Sequence, residues 1–147
     1  MSHPLEETYQ WFQLAVPAPT EHNVTVQLGV HFEEIQEMLG QLDSTDARTA
    51  DFISIAYDAM RDLANDLKSN APDLLITDPV EFLDSVCDQI VTATGSAYML
   101  GMDPVGGLDE VNTSNWSKFV DGKPQFDENG KIQKGPNYRK PNLQSFA

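Results

Sequence analysis

Two short stretches of this chain concentrate carboxylates at helical spacing. "HFEEIQEMLG" carries Glu33, Glu34 and Glu37, and "EFLDSVCDQI" carries Glu81, Asp84 and Asp88. Carboxylate oxygens without nearby His or Cys are hard ligands, suited to Mg²⁺ or Mn²⁺. At about 100° per residue, the three glutamates fall away from the apolar stripe of Phe32, Ile35, Met38, Leu39 and Leu42. Glu81, Asp84 and Asp88 fall within about 60° of one another, opposite Leu83, Val86, Cys87 and Ile90. Like charges three or four positions apart repel by roughly 0.2–0.5 kcal/mol per pair, as in Glu33/Glu37 and Glu34/Glu37. A helix bears that loss, and on spacing alone two solvated acidic faces account for both patches. Facing one another, the patches would repel unless divalent cations lay between them.

Other side chains are candidates for contacts to a ligand. In "EVNTSNWSKF", Asn112, Asn115 and Lys118 stand at i, i+3 and i+6. They lie along one side of a helix, either reaching sugar and phosphate together or forming a polar helix face. Trp11 falls off the apolar stripe of its helix and is a candidate to stack on a base, as is Trp116; Phe12 reads as core. His31 lies within an apolar stripe and reads as a satisfied core histidine. Cys87, on the apolar side of its helix, reads as a small core residue. As the single cysteine, it excludes an intrachain disulfide and a multi-cysteine zinc site. Asp127 and Asn129 before Gly130 lack the further oxygen ligands and closing glutamate of a calcium loop.

Helices must position these residues, because a 3.6-residue period dominates the first 117 positions. The spacing predicts a helix from about 4 to 16, ended by "PAP" at 17–19, and a second from 20 or 21 to about 42 that carries Val24, Leu28, Phe32, Ile35, Leu39 and Leu42. Gly40 weakens its last turn. A third, from about 46 to 69, repeats Ile53, Ala56, Tyr57, Met60, Leu63, Ala64 and Leu67. The fourth has the clearest start: Asp78 caps, Pro79 suits the first position and Glu81 completes a capping-box pattern. It runs to about Gly101, and a shorter fifth follows Pro104 or Gly107 and ends near Phe119. The expected architecture is all-α, an antiparallel bundle of four to five helices. Residues 1–120 form the helical domain, and 121–147 a basic, irregular C-terminal arm with a possible small hairpin turning at "DENG".

At 147 residues the chain buries about two-thirds of its extended surface as one domain. A net charge of −14 disfavours direct binding to nucleic acid or anionic membranes. The charge is uneven: Arg48, Arg61 and Lys68 are the only bases in residues 1–117, whereas 118–147 hold Lys118, Lys123, Lys131, Lys134, Arg139 and Lys140. The arm is therefore suited to lie across the acidic body or across a bound anion. The N-terminus has no basic region followed by an apolar run, and no apolar stretch approaches membrane-spanning length, so the cytoplasm is the expected location.

Glu33-Glu34-x-x-Glu37 followed by Glu81-x-x-Asp84 resembles the metal-binding signature of the all-α nucleotide pyrophosphohydrolases, the superfamily of MazG-like proteins, dimeric dUTPases and phosphoribosyl-ATP pyrophosphohydrolase. "EVNTSNWSKF" looks like the Asn- and Lys-containing segment that these enzymes place near the nucleotide, and the closing "GKPQFDENGKIQKGPNYRKPNL" is similar to tails of phage-type and bacterial members. The interval from Glu37 to Glu81 is long for the group, and Asp88 extends the acidic row where relatives often differ. The resemblance implies Mg²⁺-dependent hydrolysis of a (deoxy)nucleoside triphosphate to the monophosphate and pyrophosphate, with Mn²⁺ as an alternative ion. Glu34, Glu37, Glu81 and Asp84 would be metal ligands, Glu33 a further ligand or the base, and Asn112, Asn115, Lys118 and Trp11 substrate contacts. It also implies a homodimer or homotetramer, in the host cytoplasm if the chain is phage-encoded. The alternatives are a phosphoribosyl-ATP pyrophosphohydrolase, or a non-catalytic acidic helical protein that binds a basic partner.

Overall fold

Aspartate followed by proline marks two of the helix starts. The computed structural model describes residues 3–128 and 131–147. Among them lie five helices: α1 (Pro4–Ala15), α2 (Glu21–Leu39), α3 (Ala47–Ser69), α4 (Pro79–Met99) and α5 (Pro104–Trp116). The fold is all-α. Asp78 Oδ1 accepts from the amides of Val80 and Glu81, and Asp103 accepts from Gly106. In both cases proline fills the first turn, where its missing N–H costs nothing. Thr20 and Asn23 form a reciprocal capping box. Helix α2 stops at Leu39, three residues earlier than the periodicity suggests, and Gly40 takes the cap.

The chain forms two compact units, Ala18–Ile76 and Met1–Pro17 with Thr77–Ala147. In the first, α2 and α3 pack antiparallel, since Gly29 lies against Ala64, Leu67 and Lys68 while Gly40 lies against Tyr57. The approach is close because the facing residues are small. A Cβ on Gly29 would stand 2.8 Å from Lys68 Cγ and 3.0 Å from the Ala64 carbonyl oxygen. Thr25, Ala64 and Leu67 are buried beside it. The expected stripe of α2 is therefore not its most buried face: Val24, Met38 and Leu42 remain exposed, and the Thr25–Gly29 flank meets α3. His31 is exposed rather than core, because no element covers that side of the stripe within this unit.

In the second unit α1 lies beside α5, both running the same way: Asn112 bonds to the first turn of α1 and Phe119 stacks on Trp11. The expectation for α1 is corrected here. Phe12 stays exposed, while Ala15 is buried and Thr8 and Trp11 share its face. Periodicity located a face, but α5 offers its polar and aromatic partners to the neighbouring one. Helix α4 has α5 as its helical neighbour in this unit and holds no buried residue. Cys87 is consequently exposed, not a core residue.

The arm is docked rather than loose. The Asp103 amide donates to the Phe146 carbonyl, and the Phe146 ring sits where a side chain on Gly106 would go. Ser114 Oγ donates to the Arg139 carbonyl at 2.7 Å. The hairpin pairs Phe126 with Ile132, and the amides of Asp127 and Gln133 donate to the carbonyls of Lys131 and Gln125. Asn129 and Gly130 of its "DENG" turn lie outside the described residues. No described helix is long and apolar enough to cross a membrane.

Candidate functional site

The α2 acids do not share one environment. Glu34 and Glu37 are exposed, one turn apart. Glu33, which spacing groups with them, turns towards α3, where its Oε1 meets Lys68 Nζ at 2.7 Å. The reason is rotational: at about 100° per residue Glu33 falls within about 40° of Gly29, on the edge of the α3 contact. Glu34 lies a further 100° round the helix. Sequence reasoning missed Lys68 as a partner, although it is one of three bases in the first 117 residues and closes the last turn of α3.

Glu81 and Asp84 are exposed on the first turns of α4, with Asp88 one turn beyond. The bond that position 81 contributes to the cap comes from its amide. Each acidic helix thus presents one exposed i, i+3 carboxylate pair, Glu34/Glu37 on α2 and Glu81/Asp84 on α4. Among the described residues, no three His, Cys, Asp or Glu side chains are grouped so as to hold a metal ion. The donors have the right chemistry for Mg²⁺, all hard oxygen, but a complete ligand set needs carboxylates from more than one helix.

The α1–α5 seam brings together three of the four residues read as substrate contacts. Lys118 Nζ donates to Asn115 Oδ1 at 2.8 Å and stands 5.8 Å from the Trp11 ring centroid. Phe119 stacks on that ring at 5.6 Å and Phe12 meets it edge-on at 5.1 Å, so Trp11 is first a packing residue. Its Nε1 is buried and, among the described residues, has no hydrogen-bond partner. Trp116 packs edge-on against Phe119. The fourth residue, Asn112, is only 2% exposed. Its Oδ1 accepts from Thr8 Oγ1 and its Nδ2 donates to the Pro4 carbonyl, both at 2.8 Å. Asn112 therefore ties α5 to α1, a role that a polar helix face in sequence does not announce.

Arg139 of the arm forms a two-pronged pair with the Glu110 carboxylate, and the Asn142 amide donates to the same group. The hydrogen bonds from Arg139, then that from Asn142, hold the Glu110 carboxyl below its ordinary range. One base of the arm is thus committed to an acid of α5. Compared with protein families, curated proteins and solved structures, the chain matches none.

Proposed function

We propose that this chain is a Mg²⁺-dependent nucleotide pyrophosphohydrolase that cleaves a (deoxy)nucleoside triphosphate to the monophosphate and pyrophosphate. The observation that carries the reading is the pair of matched carboxylate steps, Glu34/Glu37 and Glu81/Asp84, each exposed at i, i+3 on a long helix. A triphosphate brings about four negative charges, and each charge pair at about 5 Å costs on the order of 3 kcal/mol at an effective dielectric of 20. Bare acids would repel such a substrate, so the reading requires divalent cations on the carboxylates. Bound there, Mg²⁺ would neutralise phosphate oxygens and acidify a water for in-line attack. The chain's own residues supply the rest. Glu34, Glu37, Glu81 and Asp84 would hold the ions. Glu33, steadied through Oε1 by Lys68, keeps Oε2 to take the proton of the attacking water. Lys118, fixed by Asn115, contacts phosphate.

The test is pyrophosphate release from a panel of ribo- and deoxyribonucleoside triphosphates and phosphoribosyl-ATP, with Mg²⁺ or Mn²⁺, by wild type and Glu37→Gln. Release by wild type that is lost in the variant supports the reading. Silence across the panel removes it and favours a second one, an acidic helical protein for a basic partner. That alternative draws on Glu33, whose cation in this chain is a lysine.

A further inference from the structure

The C-terminal arm runs back over helix α5 in the opposite direction and fastens it at four points. Phe146 meets the helix start, where its carbonyl accepts from the Asp103 amide and its ring lies over Gly106. The Arg139 guanidinium and the Asn142 amide grip Glu110 midway. Near the helix end, Ser114 Oγ donates to the Arg139 carbonyl, and the Arg139 amide donates to Ser117 Oγ at 2.9 Å. Gly135 reaches past the last turn, its amide donating to the Lys118 carbonyl at 3.2 Å. All four lie within one compact unit.

The last of these contacts falls where a helix is weakest. The final carbonyls of a helix have no donors within it, and helix ends fray. Lys118 follows the Ser117 cap of α5, so no further turn of helix holds its backbone. Its amide donates to the Asn115 carbonyl at 3.2 Å, and its own carbonyl takes the Gly135 amide. The approach is close enough to demand glycine: a Cβ on Gly135 would stand 2.8 Å from Val120 Cγ2 and 3.0 Å from the Lys118 carbonyl oxygen. Gly135 is in turn tied to Arg139 by a short turn, in which the Tyr138 amide donates to the Gly135 carbonyl at 3.1 Å.

The side chain on that backbone has a defined place. Lys118 Nζ donates to Asn115 Oδ1 at 2.8 Å and stands 5.8 Å from the centre of the Trp11 ring. Lysine is a point charge on a flexible four-carbon stem, so its ammonium is fixed only where the backbone beneath it is fixed. The arm supplies that fixed base, because its fork on Glu110 and its bonds to Ser114 and Ser117 set where Gly135 meets Lys118.

We propose that the arm is a positioning strap: Gly135, anchored through Arg139, fixes the backbone of Lys118 and with it the point at which the ammonium meets a substrate phosphate. The phosphate role rests on the pyrophosphohydrolase reading, whereas the strap does not. The test compares the full chain with Gly135→Ala, which pushes the arm off Lys118, and Arg139→Gln, which loosens the same turn from Glu110 without adding bulk. NOEs between the Lys118 side chain and the Trp11 ring are expected in wild type and weaken in both variants, with helical circular dichroism unchanged. In pyrophosphate release from the triphosphate panel with Mg²⁺, Gly135→Ala lowers kcat/KM by roughly tenfold, about the worth of one hydrogen bond to a charged group. In a Lys118→Met background it lowers it no further, since the ammonium through which it acts is gone. NOEs that neither variant weakens overturn the strap, and so does an equal loss of turnover with and without the Lys118 ammonium. A wild type silent on every triphosphate overturns the pyrophosphohydrolase reading and the phosphate role together, while the NOEs still decide the strap. Should Gly135→Ala unfold the arm, Arg139→Gln carries both comparisons.

Discussion

Adding one methyl group to each of two glycines isolates how closely α2 and α3 approach. Gly29→Ala and Gly95→Ala make the same chemical change inside long helices, and each gains about 1 kcal/mol of helix propensity. Around Gly95 a Cβ meets nothing within 4 Å, so the whole gain is kept. At Gly29 the Cβ lands 2.8 Å from Lys68 Cγ, 3.0 Å from Leu67 Cβ and 3.0 Å from the Ala64 carbonyl oxygen. The lysine methylene can swing away, but backbone oxygen and a buried leucine cannot, and overpacking of this kind costs about 1–3 kcal/mol. Gly29→Ala is thus expected to be neutral to about 2 kcal/mol less stable, and to fall about 1–3 kcal/mol below Gly95→Ala. Each 1 kcal/mol moves the midpoint by about 2–4 °C in a chain of this size. The assay is thermal melting followed by circular dichroism at 222 nm, read on the transition that each substitution moves. A Gly29→Ala midpoint raised as much as that of Gly95→Ala would refute the close approach.

Three further outcomes follow from the contacts. Asn112→Ala removes both hydrogen bonds that tie α5 to α1, at about 0.5–1.5 kcal/mol each, while Thr8 Oγ1 still donates to the Pro4 carbonyl at 3.0 Å; a drop in stability without selective loss of nucleotide turnover is expected, and the converse would return Asn112 to the substrate contacts. The Glu110 carboxyl is depressed by Arg139 and then Asn142, so its contribution to docking the arm is present above the unfolded glutamate value and lost as pH falls through the lower, folded one. Protection of the Asn142 amide, followed by NMR, should decline in acid for wild type and be weak and pH-independent in Glu110→Gln. The Glu33–Lys68 pair, both partly exposed, should show a coupling of only about 0.2–1 kcal/mol in a double-mutant cycle with Glu33→Gln and Lys68→Ala, and a coupling of zero would place the two side chains apart in solution.

The start of α4 was legible because capping is local: Asp78 with Pro79 satisfies or removes amides within a turn, whatever surrounds them, whereas the start of α5 was open between Pro104 and Gly107 until the Asp103 cap was seen. Pairings across elements were not. Glu33 belongs in sequence with Glu34 and Glu37, yet its neighbour is Lys68, set by where Gly29 lets α3 come close. Glu110 and Arg139 are also distant in sequence, and only docking of the arm reveals that this base serves α5. Asn112 read as a surface residue because a buried amide is polar by type, while its two partners on α1 make burial inexpensive.

By itself the sequence determined the all-α class with four to five helices, and it placed the acids on the second and fourth of them, because periodicity, caps and charge are properties of neighbouring residues. Tertiary structure decided which flank of each helix became an interface. It chose Thr25 and Gly29 over the broader stripe of α2, and Trp11 over Phe12 on α1, because close packing depends on the shape of what arrives from the other side. An apolar stripe says that a helix wants cover, but the identity of the cover lies in a second surface.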